Sequence, residues 1–259
     1  MSTILYDTKG GVARITINRP EAMNAFDLPT ARLMAERLRE FDADPALRVA
    51  ILTGAGDKAF CAGADLKKMH GGSHDGGINE LWDFERQERL GQRLHTVKPV
   101  IAAINGYCLA GGLELALGSD IRIASTTASF GAPEVRWSIL HGFGAMRLPH
   151  AVGISVAMEM LLTGERIDAR RAYDVGLVSR LVEPAALLPA AEQIAQKIAE
   201  NGPLAIRVTK ELTWRSLHEH PDDMLRFYAA VTALIHETED AKEGPRAFSE
   251  KRTPKFKNK

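Results

Sequence analysis

Two glutamates, Glu114 and Glu134, each close a run of small residues, and they are the first sign of chemistry in the chain. Glu114 ends the segment from Gly106, which holds the pair Gly111-Gly112, and Glu134 ends Phe130-Gly-Ala-Pro-Glu134. A third segment, Phe60 to Leu66, is equally rich in small residues. Two carboxylates converging on one cleft suit acid–base work on a neutral substrate, one giving a proton and one taking it. Loops of Gly and Ala offer unobstructed backbone N–H groups to a developing oxyanion. The residues also admit plainer readings: a buried salt bridge for Glu114, and a turn cap after Pro133 for Glu134.

Elements must hold these groups in place. Val100 to Ile104 is an apolar run between Pro99 and Asn105-Gly106, so it reads as a short buried strand ending in a turn. Leu113 to Leu117 then reads as an apolar helix, with Gly111 at its head. Free N–H groups at such a helix start favour negative charge. Before this, Ala13 to Arg19 alternates as a half-exposed strand. Asp27 caps a helix with Pro29 in its first turn, and that helix repeats Ala31, Met34, Ala35, Leu38 and Phe41 on one face. Val49 to Thr53 is a second buried strand, so strand, helix and strand point to a partly parallel sheet.

Ala59 to Leu66 is small and loop-like. His70 to Gly77 is glycine-rich and reads as a surface lid, and Ile78 to Thr96 as an amphipathic helix. His70, His74 and Asp75 lie in that loop without a further ligand at helical spacing, so they do not make a metal site. Ile121 to Ala124 and Ala128 to Phe130 read as strands, and His141 to Gly144 as a second glycine loop. Helices follow at Val152 to Leu162 and after the cap Asp168, then a strand from Leu177 to Val182 and a helix from Pro184 to about Glu200. Asn201-Gly202-Pro203 is a stop-and-restart signal. It places a boundary between a core over 1–200 and a helical region over 201–259.

Lysine and arginine together number 33, as do aspartate and glutamate, so the chain of 259 residues offers no electrostatic reason to bind nucleic acid. The helix from Leu28 to Asp42 mixes Arg32, Arg37 and Arg39 with Glu36, Glu40 and Asp42, so it carries no basic stripe. No apolar run reaches the roughly 18 residues of a membrane span. Met1 to Lys9 shows no secretion signal. Cys61 and Cys108 are the only cysteines, which points to a reducing, cytoplasmic setting. Cys61 reads as a small packing residue, and no metal is expected. Gly54-Ala-Gly56 is half of a dinucleotide fingerprint and lacks the rest.

The chain resembles the crotonase superfamily, the enoyl-CoA hydratases and isomerases, over nearly its whole length. The resemblance rests on Ile15 to Ala25, Lys58 to Lys67, Lys98 to Asp120, Phe130 to Glu134, Thr238 to Gly244 and Ala247 to Arg252. It implies an α/β spiral of strand–strand–helix units and a C-terminal helical region that assembles a homotrimer or a dimer of trimers. It implies an oxyanion hole made by the N–H groups of Ala64 and Gly111, and catalysis by Glu114 and Glu134. It implies substrate or CoA contacts at Ala25, Ala62, Asp65, Leu66, Gly112, Pro133 and Gly142, with coenzyme A as part of the substrate and no separate cofactor. Hydratases of the family carry both glutamates, so the implied reaction is addition of water to the 2,3-double bond of an enoyl-CoA, with double-bond isomerisation, or hydration coupled to chain cleavage on an aromatic acyl-CoA, as the alternative within the same family. The chain departs from the family pattern after Glu134. Arg136-Trp137 is bulky, Leu140-His141-Gly142 replaces Ile-Pro-Gly, and the next loop is one residue shorter.

Overall fold

Two strands that are apolar on both faces, Val49–Gly54 and Val100–Ile104, form the middle of the central sheet. In a computed structural model, which describes residues 2–65, 94 and 96–259, β1 (Ile4–Lys9) and β2 (Val12–Ile17) form an antiparallel hairpin. From β2 the sheet continues in parallel through β3 (Val49–Gly54), β5 (Val100–Ile104), β7 (Ile121–Ser125) and β10 (Arg180–Val182). Successive side chains of a strand face opposite ways. Ala50, Leu52, Val100, Ala102 and Ile104 therefore pack into one core, and Val49, Ile51, Ile101 and Ala103 into another. Burying each large aliphatic side chain contributes about 1.5–3 kcal/mol. The second core is closed by α6 (Leu187–Ala199) through Leu187, Ala191 and Ala195.

A smaller sheet runs beside the first, in the order β4 (Ala59–Cys61), β6 (Tyr107–Leu109), β8 (Ser129–Gly131), β9 (Arg166–Asp168). The chain climbs as a spiral: β3 leads to β4, β5 to β6, and β7 to β8. Several of these strands differ from what the sequence suggests. Ala59 to Cys61 is strand rather than loop, Tyr107 to Leu109 is strand within the Gly106–Glu114 segment, and β1 and β9 are additional. A three-residue strand is too short to show a period of two. His141 to Gly144 is not a free loop either, because Gly142 starts the helix α3 (Gly142–Val152). Its two early glycines and Pro149 obscure a helical pattern that packing imposes. The expectations for Leu66, for the lid from His70 to Gly77 and for the helix from Ile78 fall outside the described residues.

Helix caps follow the sequence. The Asp27 side chain accepts from Thr30 N–H at the head of α1 (Leu28–Ala43), which buries Met34, Leu38 and Phe41. Lys98 is structural: its buried Nζ donates to Phe41 O (2.7 Å) and Asp44 O (2.6 Å) at the other end of α1. The helices α4 (Ile154–Thr163) and α5 (Ala169–Asp174) follow α3, with Asp168 capping α5 through Arg171 N–H. Beyond α6, α7 (Pro203–Arg215) is tied to the sheets through Asp120, whose carboxylate takes Lys210 Nζ (2.8 Å) and Trp214 Nε1 (2.7 Å). Helices α8 (Pro221–His236) and α9 (Glu239–Ser249) complete the chain. The basic tail folds back on α9, where Glu243 pairs with Arg252 and Arg246 and accepts from Lys255 N–H. No described helix is long and apolar enough to cross a membrane.

Candidate active site

The three small-residue loops leave one edge of the smaller sheet. Strands β4, β6 and β8 are neighbours and parallel, so their C-terminal ends lie side by side. β4 delivers Ala62 to Asp65, β6 delivers Ala110 and the helix α2 (Gly111–Gly118), and β8 delivers Ala132 to Glu134. The sequence shows three separate loops. Pairing of these short strands turns them into one site.

Ala64 and Gly111 meet across the first two loops. Ala64 forms a parallel bridge with Phe26, in which Phe26 N–H donates to Gly63 O (2.8 Å) and Asp65 N–H to Phe26 O (2.8 Å). In such a bridge the N–H of the middle residue, Ala64, faces away from Phe26. It faces the head of α2, where a Cβ on Gly111 would lie 4.0 Å from Ala64 N. Gly111 N–H belongs to the first helical turn and has no acceptor within the helix. The turn into α2 is strained: Ala110 has φ 52° and ψ −129°, a conformation that costs about 1–3 kcal/mol. It is held because Ala110 N–H donates to Gly131 O (3.0 Å), while Ala110 O accepts from Leu113 and Glu114 N–H (2.8 and 3.1 Å). Gly112 packs against Cys61, where a Cβ would collide with the Cys61 carbonyl.

A buried ion cluster supports the Ala64 loop. Arg19 donates to Asp65 Oδ2 (2.8 Å) and Ala25 O (2.5 Å), and its guanidinium lies 3.4 Å from Asp27 Oδ2. Asn24, fully buried with φ 55°, accepts from Arg19 N–H (2.9 Å) and donates to Ala59 O (2.7 Å). Asp65 and Ala25 therefore help set the position of Ala64. Neither Arg19 nor Asn24 stands out in the sequence as functional. Their signal is a buried-type position for Arg19 at a strand end and a turn around Asn24.

Glu114 and Glu134 bracket one turn at the head of α3. Glu114 is half-buried in the first turn of α2, and its Oε1 accepts Gly144 N–H at 3.0 Å. Among the described residues this backbone N–H, and no basic side chain, is the partner of the Glu114 carboxylate. A Cβ on Gly142 would lie 3.5 Å from the same oxygen, so Gly142 faces Glu114. Glu134 stands in the 3-10 turn Pro133–Trp137, and its Oε1 lies 2.5 Å from His141 Nδ1. The Glu134 side chain is 13% exposed, and its Oε2 is buried with no partner among the described residues. His141 is 3% exposed, so it belongs to the interior. Trp137, by contrast, lies on the surface at 70% exposure, and Arg136 pairs with Glu165.

Cys61 plays no visible chemical part, since burial pushes its thiol up to about 12. Burial, and then the neighbouring Cys61, also push the Cys108 thiol up. Among the described residues no group of His, Cys, Asp and Glu is arranged to hold a metal ion. The arrangement offers two adjacent N–H donors and two carboxylates on separate, rigidly held elements.

Residues 7–259 match the family described as enoyl-CoA hydratase/isomerase. The (E)-benzylidenesuccinyl-CoA hydratase of Thauera aromatica is 41% identical over 255 residues, covering 98% of either chain. The short-chain-enoyl-CoA hydratase of Clostridium acetobutylicum is 40% identical over 268 residues, covering 100% of this chain and 99% of the other. The crystal structure of an enoyl-CoA hydratase from Bacillus anthracis superposes with a TM-score of 0.92 at 37% identity, with both chains fully covered. The spiral of paired strands, the C-terminal helices and these full-length matches place the chain in the enoyl-CoA hydratase/isomerase, or crotonase, family.

Proposed function

We propose that this protein is an enoyl-CoA hydratase, adding water across the 2,3-double bond of a 2-trans-enoyl-CoA to give a 3-hydroxyacyl-CoA. The observation that carries the reading is the pair of carboxylates, Glu114 and Glu134, on either side of the turn from His141 to Gly144. Ala64 and Gly111 N–H hold the thioester oxygen. Glu114 holds a water and takes its proton as the oxygen bonds to C3. The C2–C3 π electrons move onto the thioester as an enolate, which the two N–H groups stabilise. Glu134 shares that water and delivers a proton to C2 as the carbonyl reforms, and proton exchange with solvent resets both acids. Ala25, Ala62, Asp65, Leu66, Gly112, Pro133 and Gly142 line the path of the CoA and acyl portions.

The C-terminal helices support assembly. α8 buries none of its residues in the single chain and exposes Leu225 and Leu234 at 65% and 72%. Such exposure marks an interface, and we assign the region 201–259 to a homotrimer or a dimer of trimers, which light scattering on the purified protein would test.

Loss of the conjugated thioester absorbance of crotonyl-CoA tests the reaction. Glu114→Gln and Glu134→Gln are each expected to lower kcat by about 10²–10⁴, while affinity for a saturated acyl-CoA stays within a few-fold. Near-normal turnover in either variant would make that glutamate structural. The benzylidenesuccinyl-CoA named for one relative belongs in the same assay, because the residues after Glu134 differ from the family pattern where the acyl group is shaped.

A further inference from the structure

We infer that His141 is a positioning residue that fixes Glu134 and, through Gly144, Glu114; the inference rests on the hydratase reading above. The turn that carries Glu134 cannot orient it alone. Pro133–Trp137 is a short 3-10 segment with no buried residue, and Ser138 after it has φ 56°. Within the described residues, the Glu134 carboxylate makes one hydrogen bond, to His141 Nδ1 at 2.5 Å. The histidine side chain is 2% exposed and the glutamate 13%, so little water competes for this contact.

The ring is itself held. His141 caps α3, and its carbonyl accepts Ala145 N–H at 3.3 Å. Its Nε2 edge fills the space a side chain at position 144 would need, since a Cβ on Gly144 would collide with it. Gly144 N–H donates to Glu114 Oε1 at 3.0 Å. One imidazole therefore touches the first acid directly and sits against the residue that holds the second.

The chemistry follows from the two oxygens of Glu134. With Oε1 held by the imidazole, the orientation of the whole carboxylate toward C2 depends on that contact. In the tautomer that donates from Nδ1, the contact persists whether Oε2 is bare or protonated. In that tautomer the Nε2 of His141 is an acceptor with no partner among the described residues, and no buried N–H is left over. Loss of such positioning costs about 10²-fold for displacements near 1 Å.

The test compares His141→Asn, which keeps an N–H near the Nδ1 position, with His141→Leu, which has the same number of side-chain heavy atoms and no donor. His141→Ala replaces the Leu variant if that does not fold. Two rates are read: hydration of crotonyl-CoA, and deuterium uptake at C2 of butyryl-CoA in D2O, together with butyryl-CoA affinity. In the exchange, the C2–H bonding pair moves onto the thioester as the enolate, the proton passes to the Glu134 carboxylate and exchanges with solvent, and deuterium returns to C2 as the carbonyl reforms. The expected result is a 10- to 100-fold loss of both rates in the Leu variant, recovery of most of that loss in the Asn variant, and butyryl-CoA affinity within threefold throughout. Exchange within twofold of wild type in the Leu variant overturns the inference. So does an Asn variant no faster than Leu, or a loss matched by equal weakening of binding, as a merely structural role would give. If wild type exchanges at C2 but hydrates no enoyl-CoA, the hydratase reading fails and the exchange ratios still decide His141. Absence of both hydration and exchange in wild type overturns both, whereas hydration without exchange leaves the hydratase reading standing and the hydration ratios then decide His141.

Discussion

At the scale of single residues, the site depends on groups whose sequence neighbours disguise them. Cys61 lies three residues before the bridge at Ala64 and invites a reading as a nucleophile. Burial excludes it: the thiol is pushed up to about 12, so at neutral pH it carries its proton, and among the described residues only Gly63 N–H donates to the sulfur, at 3.4 Å. Folded protein at pH 8 should leave Cys61 and Cys108 unmodified by iodoacetamide, and both should react once the chain is unfolded in denaturant. Peptide mass spectrometry reads this directly, and rapid labelling of Cys61 in the native state would contradict its assignment as a packing residue. Glu114 and Glu134 were visible in the sequence because each is an acid in a run of small residues. His141 was visible only as a departure from a family pattern. Its role depends on Glu134, seven residues away across an irregular turn, where no helical or strand spacing applies.

At the scale of elements, two close approaches decide whether the N–H pair exists. Gly63 has φ 95°, in the left-handed region, and a Cβ there would lie 2.7 Å from Ala110 Cβ and 3.0 Å from Gly111 N. The loop after β4 and the start of α2 can come together only without that methyl. Gly63→Ala is therefore expected to push Ala64 and Gly111 apart. It should lower kcat/KM for crotonyl-CoA by about 10²-fold or more, the scale of losing an oxyanion donor. The melting temperature should fall as well, from strain at a positive φ. Turnover and thermal unfolding measured on the same sample check this, and near wild-type turnover would show that the two N–H groups do not act together. The longer helices needed no such contact to be read. Asp27, Asp168 and Thr238 cap α1, α5 and α9, each side chain accepting the backbone N–H three residues further on. The short strands β4, β6 and β8 were missed because three residues carry too little periodicity, and only their neighbours hold them in register.

Across the whole molecule, the C-terminal region is joined to the spiral by polar anchors. Asp120 joins β5 and α7: it accepts Val100 N–H (2.8 Å) besides Lys210 and Trp214. Arg147 of α3 adds to this, stacking over the Trp214 ring with 4.2 Å to its centre. At the far end Glu243 fastens the tail. Hydrogen bonds from Arg252, then from Lys255 N–H and Arg246, hold its carboxyl well below the usual carboxylate range. A carboxyl lowered on folding stabilises above its unfolded value, near ~4.3, and that contribution fades as pH drops toward the folded value. Glu243→Gln should therefore lower the melting temperature at neutral pH, with the gap from wild type narrowing below about pH 4. Melting curves across pH 3–8 test this, and a gap independent of pH would show that the ion pairs contribute nothing beyond packing.

What the sequence alone determined is local. The buried strands Val49 to Thr53 and Val100 to Ile104, the capped helices, the stop at Asn201-Gly202-Pro203 and the two acids behind small residues all follow from composition and spacing within one stretch of chain. The resemblance to the crotonase superfamily added the overall spiral. What only the tertiary structure decided is nonlocal. Residues 61, 109 and 131 end strands on one edge because parallel pairing puts them there, and pairing between strands tens of residues apart leaves no periodic trace in the chain. The same holds for the Arg19–Asp65 pair and for the His141 ring lodged against Gly144. Each is a contact whose partners meet only after the backbone has folded.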